Sequence, residues 1–345
     1  MTLRLPKSGT PPLTAGLIRD RAEDFRVDEQ LGFDLDGEGE HLWLHVQKTD
    51  NNTDWVARLL ARMAGVQGRD VGYAGLKDRY AITTQWFSVP DTHEKLEFEP
   101  GPIDEGIEIL ACRRHTRKLR RGALEENRFA IRVREVEGDM AALEQVMEDI
   151  RIQGVPNYFG EQRFGRGGHN VSKARDMFNR KYRPRNKQQK GILLSAARSE
   201  LFNRVLAERV DQGSWCQALE GDVFELQGSH SVFVPDEIDQ TIIERVQEGD
   251  IHPTGPLWGR GSLMTSGVVM ELEKMIAEQE PELTEGLEHA GLKQERRALR
   301  FLVPDLSLDI EDERTLVLQF SLPSGTYATS LLRELVDYRD ASVSG

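Results

Sequence analysis

Val71-Gly72-Tyr73-Ala74-Gly75-Leu76-Lys77-Asp78-Arg79-Tyr80-Ala81-Ile82-Thr83-Thr84-Gln85-Trp86-Phe87-Ser88-Val89 reads as strand, turn, strand. The first five residues suit a short buried strand, and the Thr- and aromatic-rich run from Thr83 to Val89 suits a second. Between them lies a polar turn whose only acid, Asp78, stands between Lys77 and Arg79. Loops held by a rigid scaffold carry a disproportionate share of catalytic groups. Flanking cations favour the ionised carboxylate that a nucleophile needs. The commoner use of a turn aspartate is to hydrogen-bond its own backbone, so residue type and position leave both uses open.

Outward from this turn the periodicity predicts a sheet with helices packed on it. Asp24 to Glu29, led into by Gly16 to Arg19, alternates as an edge or half-buried strand. His41 to Lys48 alternates too, with Leu42, Leu44 and Val46 on one face. Asn51-Asn52-Thr53 offers N-caps for a helix from Asp54 to about Ala64, with Trp55, Val56, Leu59, Leu60 and Met63 as its core stripe. Ile107 to Cys112 and Phe129 to Val133 read as strands, and Met140 to Arg151 as a helix. Beyond Pro156 comes a Gly- and Arg-rich loop, then helical patterns over Val171–Phe178, Leu193–Val210, Thr265–Glu280 and Leu287–Phe301. Strand character returns at Thr315–Leu322, followed by the turn Pro323-Ser324-Gly325 and a helix from about Tyr327 to Asp337. Sheet, helical block and sheet again predict an α+β (mixed α/β) protein with a helical insertion inside its first domain.

Composition narrows the function classes. A chain of 345 residues, 38% hydrophobic and 30% charged, is expected to fold as a globular protein of about two domains. No apolar run reaches membrane-spanning length and the N-terminus lacks a signal-peptide core, so a cytoplasmic protein away from membranes is expected. Cys112 and Cys216 lack CxxC spacing and read as reduced thiols, and the histidines show no zinc-ligand spacing, so no metal is expected. Neither a GxSxG elbow nor a phosphate-binding glycine motif is present.

The net charge of −13 conceals segregation. Arg113, Arg114, Arg117, Lys118, Arg120 and Arg121 form one acid-free cluster. Arg163, Arg180, Lys181, Arg183 and Arg185 belong to a second that holds a single acid, Asp176. Local fields rather than totals govern polyanion binding, so these clusters are candidate RNA contacts, with solvated helix faces as the plain alternative. Tyr158, Phe159, Phe164 and Tyr182 beside the cations could stack on bases or pack in the core.

The Gly75-Leu76-Lys77-Asp78-Arg79-Tyr80-Ala81 block with Thr84-Gln85 resembles the signature of the tRNA pseudouridine synthase D family. Phe25-x-Val27-x-Glu29, Gly37 to His41, Gly122-Ala123-Leu124 through Asn127-x-Phe129, Asn157 to Gly165, Leu194 to Ser199, and Pro323-x-Gly325-x-Tyr327 through Leu335 resemble it in the same order. The resemblance implies a catalytic domain over residues 1–155 and 304–345, with a mixed, mainly antiparallel sheet flanked by helices. It implies a mostly helical TRUD insertion domain over residues 156–303. It further implies a cofactor-free monomer that isomerises uridine to pseudouridine at position 13 of tRNA, with Asp78 as the essential carboxylate. Asn127 and Phe129 would hold the target nucleotide and Tyr327 would stack on the base. Arg333 and Arg19, then Lys77, are the candidate basic partners of Asp78. Residues near 19, 78, 128 and 330 would converge on one cleft. A non-catalytic RNA-binding protein on the same fold is the alternative, and a metal-dependent phosphoesterase a more distant one.

Overall fold

The turn around Asp78 is bounded by a two-residue strand, Gly72–Tyr73, and a nine-residue strand, Ile82–Pro90, paired antiparallel. The structure, a computed structural model, describes residues 5–9, 14–229 and 231–343. The described chain divides into two units.

The sheet unit holds residues 14–142, 303–325 and 336–343. Its sheet has eleven strands. The central path runs Ser307–Asp312, Thr315–Pro323, Glu126–Gly138, Phe25–Gln30, Ile82–Pro90, His41–Thr49, Ile107–His115 and Gly101–Asp104. Most neighbours are antiparallel. Phe25–Gln30 runs parallel to Ile82–Pro90, and Thr14–Ile18 parallel to Asp337–Asp340. The expected α+β class, with a mixed and mainly antiparallel sheet flanked by helices, is the observed one.

One face of the sheet presents Leu42, Leu44, Val46, Phe87, Val89, Ile107 and Ile109 to the helix Thr53–Met63. That helix is rotated from the expected stripe. Val56, Ala57, Leu60 and Ala61 are its buried apolar residues, whereas Trp55 and Met63 are 38% and 47% exposed. Two alanines let the backbone approach the sheet closely, so the larger end-of-stripe side chains turn outward.

The helical unit holds residues 5–9, 143–302 and 326–335. Its axis is the 25-residue helix Lys187–Asp211, which is apolar on two faces. Leu193, Ala197, Leu201 and Val205 recur every four residues and pack on Ile276, Leu283 and Leu287. Phe202, Leu206 and Val210 form the second face, against Tyr158, Phe159 and Leu299. On the first face Gly286 permits a close approach, since a Cβ would lie 2.2 Å from the Phe178 ring.

The helix expected over residues 287–301 does not form. The helix Pro281–His289 ends before Gly291, which adopts φ 84°, and Glu295–Ala298 is a strand pairing antiparallel with Ile251–Leu257. With Phe224–Leu226 and Val232–Phe233 these make a four-stranded sheet inside the helical unit. Tertiary pairing has overridden the helix propensity of a Lys-, Gln- and Arg-rich segment. The units change over near 142/143 and 302/303, and residues 326–335 cluster with the helical unit. Among the described residues no helix is long and apolar enough to cross a membrane.

Candidate active site

A buried polar lattice fixes the backbone of the Asp78 turn. The Thr53 hydroxyl donates to Gln85 Oε1 at 3.0 Å and accepts from the Lys77 backbone N–H at 3.0 Å. The Gln85 Nε2 donates in turn to the Gly75 carbonyl at 3.1 Å. Lys48 Nζ, at the far end of its strand, donates to the carbonyl of Asp78 itself at 2.7 Å. Thr53, Gln85 and Lys48 are all buried. In a low-dielectric surrounding such bonds are strong when complete and costly when broken, so the turn has one well-defined pose. Burial pulls the Lys48 pKa down to about 8, against the opposing pull of the Asp78 carboxylate.

Asp78 itself is one-third exposed, and its Oδ2 lies 3.4 Å from Arg19 Nη2. The Arg19 side chain is 6% exposed and its backbone adopts a left-handed φ of 54°. Its Nη1 bonds Asp340 Oδ2 at 2.6 Å, and its guanidinium lies 3.9 Å above the centre of the Phe25 ring. Phe25 meets Phe129 edge-on at 6.2 Å, and Phe129 stacks on Phe320 at 5.1 Å. Leu76 and Tyr80, on either side of Asp78, expose 66% and 45% of their surface.

Lys77 points elsewhere than its neighbour. Its Nζ lies 2.7 Å from Glu29 Oε2 and donates to Asn127 Oδ1 at 2.7 Å. Glu29 and Asn127 face each other across paired strands, so one buried ammonium ties both strands to the turn. Of the three basic candidates, Arg19 is the one the structure places against the Asp78 carboxylate. Arg333 belongs to the helical unit, where its guanidinium lies 5.3 Å from the Tyr158 ring centre and donates to the Leu5 carbonyl.

Residues 19, 78 and 127–129 are thus brought together within the sheet unit. Tyr327 lies in the helical unit, where its hydroxyl accepts from Arg163 Nε and Nη2 at 3.1 and 2.8 Å. Arg163 also donates to Ser195 Oγ at 3.0 Å, so this guanidinium is engaged internally. Arg114 is likewise committed, to Asp91 at 2.6 Å and the Gly39 carbonyl. Both depart from the expectation of surface cations, because each lies where a buried or half-buried oxygen needs a donor. Arg113, Arg117, Lys118, Arg120, Arg121, Arg180, Lys181, Arg183 and Arg185 are exposed. Arg121 covers the Tyr73 ring at 3.8 Å, and Lys118 donates to the Arg69 carbonyl.

Burial raises both thiol pKa values, so Cys112 and Cys216 are ordinary protonated side chains. Among the described residues no three His, Cys, Asp or Glu side chains gather as a metal-holding group.

Comparison with known proteins places the chain. The family described as tRNA pseudouridine synthase D (TruD) matches residues 9–183 and 169–335. The chain is 49% identical over 339 residues to tRNA pseudouridine synthase D of Methylococcus capsulatus, covering 97% of this chain and 94% of that protein. It is 47% identical to the protein of that name from Nitrosococcus oceani, covering 98% and 95%. A solved Methanosarcina mazei structure described as a putative tRNA pseudouridine synthase D superposes with a TM-score of 0.71 at 22% identity. The match covers 96% of this chain and 95% of that one, and so shows a shared fold. On these matches, nearly full-length in sequence and in fold, the chain belongs to the tRNA pseudouridine synthase D family.

Proposed function

We propose that this protein converts uridine to pseudouridine at position 13 of tRNA, with Asp78 as the essential carboxylate. The observation that carries the reading is the pose of Asp78. Its backbone carbonyl is held by buried Lys48, and its partly exposed carboxylate faces the clamped guanidinium of Arg19. A pre-positioned carboxylate that retains access to ligand is what attack on a nucleotide requires.

The target uridine must leave its stack, at a cost of a few kcal/mol. Exposed cations at Arg113, Arg117, Lys118, Arg120, Arg121, Arg180, Lys181, Arg183 and Arg185 would offset this by binding phosphates. Asp78 then acts on the ribose C1′ or on the base, or promotes a glycal; each route breaks the N1–C1′ bond. The uracil turns and rejoins through C5. Substrate and product are isomers, so the balance requires no oxidant, reductant or group donor. Arg19 supplies the compensating charge beside the carboxylate, and Lys77 orients the Asn127 amide. Phe129, stacked on Phe320, would offer the nucleotide an apolar wall. Tyr327 and Arg333 enter as nucleotide-binding residues on the family resemblance. The sheet unit would be the catalytic domain and the helical unit the insertion domain.

Asp78→Asn decides the matter. Loss of pseudouridine formation with retained tRNA binding is expected. A variant that still modified tRNA would remove Asp78 from the chemistry. A wild-type protein that bound tRNA without modifying it would favour the RNA-binding alternative.

A further inference from the structure

We propose that the start of the helix Thr53–Met63 carries a subsite for an unpaired nucleotide of the substrate RNA, its base stacked on Trp55 and its phosphate met by Arg58. This rests on the reading that RNA is the substrate. It adds a binding surface that lies outside the charge clusters and meets the family motifs only at Arg79.

Three observations converge on it. Trp55 is 38% exposed and stands outside the core under its own helix, although helical spacing predicts it inside. Arg58 and Arg62 both lie against its ring, at 5.9 and 5.4 Å from the ring centre. Neither arginine makes an ion pair among the described residues. An exposed indole backed by two guanidiniums that have no carboxylate partner among the described residues is well suited to a nucleotide. The ring offers a sequence-tolerant stacking face, and the cations offer phosphate binding.

The second observation is a pocket of about 250 Å³ beside this ring, lined by Asp50, Asn51, Asn52, Trp55, Arg58 and Arg79. Asn52 accepts from the Trp55 and Val56 N–H groups through its backbone carbonyl, and its side chain makes no capping bond. That amide is therefore available to a base edge. The Asp50 carboxylate lies 3.3 Å from Arg79 Nε, which moderates the one acidic group in the lining.

The third is position. Arg79 follows Asp78 directly, so the pocket adjoins the reactive turn. An RNA that presents one extruded uridine to Asp78 has neighbouring nucleotides pulled from their stack. A stacking platform here would recover part of that cost.

The test uses the full chain with Trp55→Ala, Trp55→Phe and Arg58→Gln, read by equilibrium tRNA binding and by tryptophan fluorescence with short single-stranded oligouridine or duplex RNA. Trp55→Ala should weaken tRNA binding about tenfold, the scale of one missing base stack, while Trp55→Phe retains most of the affinity. Arg58→Gln should lower the logarithmic salt slope of binding by about 0.7 to 0.9, the value of one phosphate. Oligouridine should quench wild-type fluorescence by a component that is missing in Trp55→Phe, and duplex RNA should not. Unchanged tRNA affinity in Trp55→Ala, or quenching of Trp55→Phe by oligouridine as large as that of wild type, would overturn the subsite. A wild-type protein that failed to bind tRNA at all would instead overturn the proposed function, so the two failures are distinct.

Discussion

Lys48 reaches the Asp78 carbonyl from a fully buried position, and burial holds its pKa at about 8. Because the folded value lies below that of the free chain, the buried charge lowers stability at neutral pH. That cost shrinks as pH rises through about 8 toward the unfolded value. A costly ammonium kept beside the turn proposed to carry the chemistry is the pattern of a group retained for position. Lys48→Met should therefore reduce turnover about a hundredfold through a displaced Asp78, with tRNA affinity nearly unchanged. A Lys48→Met protein with wild-type single-turnover rate would show that the turn keeps its pose without this bond. Asp78 and Asn127 are legible in sequence because family motifs surround them. Lys48 is not: alternation puts it on the face of Leu42, Leu44 and Val46, but a lysine near a strand end ordinarily keeps its ammonium in water. Its burial arises from the turn folding over the strand end, a hydrogen bond spanning 30 residues of chain.

Among the elements, the strand Ile251–Leu257 is the hardest to read from sequence. It contains Pro253 and Pro256, which ordinarily argue against a strand between two others. It nonetheless pairs on both sides, with Phe224–Leu226 and Glu295–Ala298. The long strands and the helix Lys187–Asp211 are readable because periodicity is local. This small sheet is not, because partner strands supply its reason to exist. It also creates a pH-sensitive point. His252 Nδ1 accepts from Arg300 Nε at 3.1 Å, so Nε2 carries the proton, 2.6 Å from Gln227 Oε1. Burial, aided by Arg300, lowers the His252 pKa to about 4. The unfolded chain thus binds a proton that the folded one refuses. Stability is complete above the ordinary value of about 6.5 and falls by about 3 kcal/mol as pH drops to about 4. Thermal melts at about pH 7.5 and about pH 5 should show a larger loss in wild type than in His252→Gln, which cannot titrate. Equal losses would mean that His252 does not drive the acid sensitivity.

Across the whole molecule the acidic total and the basic clusters serve different ends. The net charge of −13 resists nonspecific polyanion binding, while exposed runs such as Arg180, Lys181, Arg183 and Arg185 provide local attraction. Neutralising these four should flatten the logarithmic salt dependence of tRNA binding by about 0.7 to 0.9 for each phosphate they neutralise. An unchanged slope would assign them to solvation alone. Sequence segregation makes these runs legible, but it does not separate them from Arg114 and Arg163, which bond internal oxygens. The connectivity adds a consequence of its own. Thr14–Ile18 pairs with Asp337–Asp340, and Arg19, next in the chain, bonds Asp78 on one side and Asp340 on the other. During translation the Asp78 turn and Arg19 leave the ribosome long before residue 340 does. A nascent chain therefore carries the carboxylate proposed for the chemistry early, beside a cation whose second anchor, Asp340, is translated much later.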